Sequence, residues 1–202
     1  MVDLTSVVGR TAGMLLRPLP TLEAHSRPVP PWTVVAREHV LPLLVASALV
    51  WALLTWLFRA HFEALGIPMP DSLPTMMAVV ALRVVFQFSG LLAMAKIAAM
   101  VAGNLGGRDD FPAAYTLVAL SLTPSMVGNA LSPIPMIGGV TWLGGLIYGL
   151  TIFYRAMTGV IGVPTESRGK HLAFTLVITV LAMLMVIALL APLFGGLLGP
   201  LL

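Results

Sequence analysis

The chain has 202 residues, 58% hydrophobic and 9% charged, with a net charge of +3 and no cysteine. An average soluble domain carries about 25% charged residues, so this balance excludes an ordinary soluble fold. The missing cysteines exclude disulfides and thiolate metal or redox centres, and so small a net charge excludes a nucleic-acid surface.

Residues 1–39 predict no cleavable leader, because the first long apolar run begins only at Val40. From Asp3 to Leu16 the pattern is that of an amphipathic helix. Leu4, Val7, Val8, Thr11, Met14 and Leu15 share one face at the 3.6-residue period, with Arg10 and Arg17 off it. Such a helix either lies in the membrane interface or folds back onto the protein. Pro18, Pro20, Pro28, Pro30 and Pro31 then predict an extended connector, with Trp32 as an interfacial anchor.

A crossing of a ~30 Å hydrocarbon core takes roughly 20 helical residues, and five segments qualify. The first, about 40–58, puts Trp51 and Trp56 near the far interface. A polar loop, Arg59 to Ser72, leads to the second at about 73–101. From Phe111 to Tyr154 no charged side chain occurs, a run too long for one crossing and right for two. Ser132-Pro133-Ile134-Pro135 divides it, since proline removes amide donors and pushes its predecessor toward extended geometry. The third and fourth spans are therefore a tight hairpin, about 112–131 and 136–154. The fifth, about 172–191, is expected to end near Pro192, leaving Phe194-Gly195-Gly196-Leu197-Leu198 at the interface. The fold class is all-α: a polytopic membrane protein of five transmembrane helices. It divides into a 1–39 amphipathic helix with Pro-rich connector and a 40–202 membrane domain.

Topology follows from the basic residues. Arg10, Arg17, Arg27, Arg37, Lys96, Arg108, Arg155, Arg168 and Lys170 fall on the side of the N-terminus, Arg59 alone on the other. That bias predicts a cytoplasmic N-terminus and, with five spans, an external C-terminus.

Two stretches resemble the Yip1-domain family, and in particular its small bacterial members. One is Gly103-Asn104-Leu105-Gly106-Gly107-Arg108-Asp109-Asp110-Phe111 with Ala113-Ala114 and Ser121-Leu122-Thr123-Pro124 after it. The other is the Ile134-Pro135-Met136-Ile137-Gly138 turn, the Trp142 to Tyr154 span and the Gly162-Val163-Pro164-Thr165-Glu166 loop. Leu16-Arg17-Pro18 and Val40-Leu41-Pro42-Leu43 match in spacing, while Leu120 departs where the pattern has an aromatic residue. The resemblance implies five spans, a cytosolic N-terminus and, for a bacterial member, the inner membrane. Eukaryotic members act in vesicle traffic and contact Rab-type GTPases and one another. For this chain the resemblance, with the absent catalytic set, implies a non-enzymatic scaffold or accessory protein. Its expected partners are membrane lipid and other integral membrane proteins or further copies of itself, with no nucleic acid and no cofactor.

Several residues are candidates for a task within the membrane. Arg83, about 15 Å along the second span, is a functional-site candidate because charge at that depth is costly. All eight acids lie in loops or at span ends. Its available partners are Gln87, Asn129 or the carbonyl freed by Pro124; alternatively it reaches outward to Asp71, Glu63 or lipid phosphate, or meets another subunit. Pro124 with Ser121, Thr123, Ser125 and Asn129 predicts a polar notch opposite the fourth span. That notch is either a pocket or gate, or hydrogen bonding that re-satisfies the kinked helix. Thr141, Gly145 and Gly149 form a small-residue stripe that seats the third span on the fourth or supports a dimer. Together Arg83, Gln87 and Asn129 offer the competing reading, a small channel or transporter. Gly106-Gly107-Arg108 lacks the Lys-Ser/Thr of a phosphate loop and is expected to end the second span, with Asp109 or Asp110 capping the third. His25, His39, His61 and His171 show no metal-ligand spacing, and no nucleophile–base set points to catalysis.

Overall fold

The computed structural model describes the backbone of residues 4–198 and the side-chain surroundings of residues 5–189. Helices α1 (Leu4–Leu16) and α2 (Pro18–Ser26) precede the first crossing helix, α3 (Trp32–Leu57). A short α4 (Arg59–Ala64) leads to α5 (Leu73–Asn104). The third span is α6 (Phe111–Ser121) and α7 (Thr123–Ala130), interrupted at Leu122. The fourth is α8 (Gly138–Ile161) and the fifth α9 (Arg168–Leu198). Five helices among the described residues are long and apolar enough to cross a membrane, and no strand occurs there. The chain is an all-α multi-pass membrane protein.

The third span is the axis of the bundle. Ala113 to Ser121 are all buried, with α3, α5 and α8 packed around α6 and α7. Lipid tails supply no hydrophobic drive between helices, so close approach of small side chains has to hold them together. Ala113, Ala114 and Ala119 on α6 and Ala95, Ala98, Ala99 and Ala102 on α5 are fully or almost fully inaccessible and provide that approach. Trp32, Phe111 and Tyr115 close the bundle at the N-terminal side in an aromatic cluster with centroids 5.7–6.0 Å apart. At the end of α5, the Gly107 region docks on α8, where the Arg108 amide donates to the Ile161 carbonyl at 2.8 Å. Asp110 then caps α6 by accepting from the Ala113 amide at 3.1 Å.

Four expectations need correction. The proline-bearing connector is not extended throughout, because Pro18 and Pro20 stand in the first turn of α2, where a missing amide hydrogen costs nothing. The first crossing helix starts at Trp32, not Val40, because the buried period of Val35, Ala36, His39, Val40, Leu43 and Leu44 runs unbroken through the polar flank. The fourth continues past Tyr154 to Ile161, where Gly162 ends it at φ +73°. The fifth passes through Pro192 to Leu198; a single lost donor is cheaper in hydrocarbon than several exposed carbonyls. The surroundings of Phe194 to Leu198 lie outside the described residues, as does Asp3.

Helices α1 and α2 fold onto the bundle. Val7, Met14 and Leu22 are buried against it, while Val8 and Leu16 stay 68% and 80% exposed. The Tyr148 hydroxyl donates to the Leu15 carbonyl at 3.1 Å, and Arg27 donates to the Gly159 carbonyl at 3.4 Å. Both contacts fasten the N-terminal segment to α8.

Candidate functional site

The intramembrane charge is paired within the chain. The Arg83 guanidinium donates to Asn129 Oδ1 and lies over the Trp51 ring, 4.3 Å from its centroid. Three spans, α5, α7 and α3, are thereby tied at one point. Neither acid of the outward alternative receives it: Glu63 pairs with Arg59 at 2.6 Å and Asp71 accepts from Thr75 at 3.4 Å. Trp51 is correspondingly not a free interfacial anchor. Gln87 makes no bond to Arg83, and its Oε1 is buried with no partner.

The expected polar notch opposite the fourth span does not assemble. Thr123 turns to α3, where its Oγ1 meets His39 Nε2 at 3.0 Å, and it also donates to the Ala119 carbonyl at 3.3 Å. With the hydroxyl proton on that carbonyl, the His39 ring donates through Nε2. Asn129 turns instead to α5, and the Ser121 hydroxyl is buried without a partner. Toward α8 the third span presents backbone. A Cβ on Gly145 would stand 2.5 Å from the Pro124 carbonyl oxygen, and one on Gly149 would stand 2.8 Å from that of Ser121. Thr141 Oγ1 donates to the Gly138 carbonyl at 2.9 Å and approaches that of Gly128 at 3.4 Å. The Thr141, Gly145 and Gly149 stripe therefore packs α8 on α7 and the end of α6 inside one chain.

His39 is the site residue that sequence reasoning missed. It is fully buried, and it sits in the π-helical turn Ala36–Val40 of α3, a distortion frequent at functional sites. The available signal was its place in the buried period of α3. A cavity of about 200 Å³ lined by Arg10, His25, Glu38 and Leu120 lies close by. His171 is likewise buried; its Nε2 lies 3.0 Å from the Ala98 carbonyl and its ring stacks on Phe153. Among the described residues no group of three or more His, Cys, Asp or Glu side chains could hold a metal ion.

The His39 contact gives a direct test. Thr123→Val keeps the shape and removes the acceptor of the ring proton, at a cost of about 1 kcal/mol for a hydrogen bond between membrane helices. The midpoint of thermal unfolding in detergent micelles should fall. A midpoint equal to wild type would show that the pair holds nothing.

A family model described as the Yip1 domain matches residues 12–196. No curated protein and no solved structure matches the chain.

Proposed function

The chain belongs to the Yip1-domain family, and from that premise we propose that it is a non-enzymatic scaffold or accessory protein of a bacterial inner membrane. It binds other integral membrane proteins and lipid through its spans, with its N-terminus cytoplasmic and its C-terminus outside. The observation that carries this reading is how its intramembrane polar groups are used. Arg83 is bound to Asn129 and Trp51, and His39 to Thr123, so charge and polarity brace helices against each other. Meanwhile α9 exposes Phe174, Val177, Ile178, Leu181, Leu184 and Met185, an apolar surface suited to lipid or to another membrane helix. The basic residues gathered on the side of the N-terminus support the orientation.

Extraction into native-lipid particles followed by mass spectrometry tests the proposal. A defined protein partner at fixed stoichiometry, lost when residues 1–31 are deleted, is the expected result. A clean homo-oligomer without a partner would instead favour the second reading, a small channel or transporter. The buried, partnerless Gln87 Oε1, four residues past Arg83 on the same helix, favours that reading, and liposome flux sensitive to Arg83→Gln would establish it.

A further inference from the structure

We propose that the cavity between α2 and the end of α8 is a binding site for the headgroup phosphate of an anionic phospholipid, with Arg155 as its receiving guanidinium. The cavity measures about 220 Å³, and three arginines, Arg27, Arg155 and Arg168, line it against a single carboxylate, that of Glu23. Two of the three are fixed in place. Arg27 donates to the Gly159 carbonyl at 3.4 Å, and Arg168 donates through Nε to Thr158 Oγ1 at 2.7 Å. Each uses one of five guanidinium N–H groups, which leaves donors over for a ligand. Arg155 is exposed at the cavity mouth and has no hydrogen bond or ion pair among the described residues, so its guanidinium is accessible to a ligand from the membrane surface.

Helix capping explains part of this cluster. The last carbonyls of a helix lack internal partners and carry partial negative charge, and Arg27, Arg108 and Arg168 surround that end of α8. Capping does not explain Arg155, which reaches no carbonyl and stands a turn and a half before the helix end. Arginine forks match phosphate oxygens in pairs, and net positive charge around one cavity calls for an anion.

Depth selects the source of that anion. Arg155 lies seventeen residues past Gly138, about 26 Å along the helix, near the edge of a ~30 Å hydrocarbon core whose other edge is at the α7–α8 turn. Phospholipid phosphates occupy that level, and basic pockets between spans recognise anionic headgroups. The walls contributed by Leu19, Leu22, Ala156 and Val160 suit the glycerol and upper acyl carbons. The inference rests on the membrane-domain reading and requires no protein partner, so a failed partner search leaves it standing.

Native mass spectrometry of the full chain in detergent, with defined lipids added, tests it. Phosphatidylglycerol should be retained as one molecule per chain, at least fivefold over phosphatidylcholine with the same acyl chains. Arg155→Gln should lose that preference at least fivefold while its thermal unfolding stays at the wild-type midpoint. Arg37→Gln, the same charge change at an exposed position on the same side but outside the cavity, should bind like wild type. Equal retention of the two lipids, or wild-type retention by Arg155→Gln, would overturn the site. Displacement by sn-glycerol 3-phosphate at the concentration of the lipid itself would overturn the lipid as its occupant in favour of a soluble phosphate ester.

Discussion

Gly145→Leu is expected to abolish the folded membrane domain, while Gly144→Leu, one residue away, leaves it intact. A Cβ at 145 would stand 2.5 Å from the Pro124 carbonyl oxygen and 3.2 Å from the Ser125 Cα, whereas a Cβ at 144 meets nothing within 4 Å. The obstructing atoms are backbone, so no side chain can swing aside. The clash can be relieved only by parting α7 from α8. Overpacking of this kind costs about 1–3 kcal/mol for the first methyl and more for a branched side chain. Gly128→Ala should behave like Gly145→Ala from the other side of the same contact, since its Cβ would lie 2.2 Å from the Thr141 carbonyl oxygen. Size-exclusion profiles of fluorescently tagged variants check the series. A monodisperse Gly145→Leu protein with the wild-type unfolding midpoint would refute the close approach.

The second large effect belongs to Asn129. Replacing it with leucine leaves the Arg83 charge inside the membrane domain with only the Trp51 ring as partner. Removing the acceptor of a charged donor costs about 1.5–3 kcal/mol, because the guanidinium loses a hydrogen bond that hydrocarbon cannot replace. Arg83→Met combined with Asn129→Leu removes charge and partner together and should recover stability to within about 1 kcal/mol of wild type. The double-mutant cycle, read from reversible unfolding in mixed micelles, isolates the coupling. A double variant as unstable as Asn129→Leu alone would show that Arg83 is not the reason Asn129 matters.

The spans were legible because the apolar runs are long and the charged residues fall between them. Ser132-Pro133-Ile134-Pro135 gave away the hairpin for the same local reason. Which neighbour a polar side chain faces was not legible, because it depends on how the helices are arranged around one another. Thr123 and Asn129 are six residues apart, about 240° around a helix at 3.6 residues per turn. They cannot open onto the same neighbour, and in the bundle one meets α3 and the other α5. Arg83 and Asn129 could be named as possible partners from residue types alone, yet Trp51 could not, since a tryptophan near a span end ordinarily reads as an interface residue. The burial of His39 was not legible because Arg37 and Glu38 beside it look like the edge of the membrane, while the periodicity of its own helix face says interior.

The docking of the N-terminal segment on α8 bears on how the protein is made. Tyr148 reaches the Leu15 carbonyl across 133 positions, and Arg27 reaches Gly159 across 132. At about 5–20 residues per second, a ribosome needs roughly 7–27 s to add that much chain. Throughout that interval α1 and α2 have been synthesised but the α8 groups that fasten them have not. This early segment thus completes its contacts late: it can settle on α3, α6 and α7 as they are inserted, but its fastenings to α8 wait until that helix is in place.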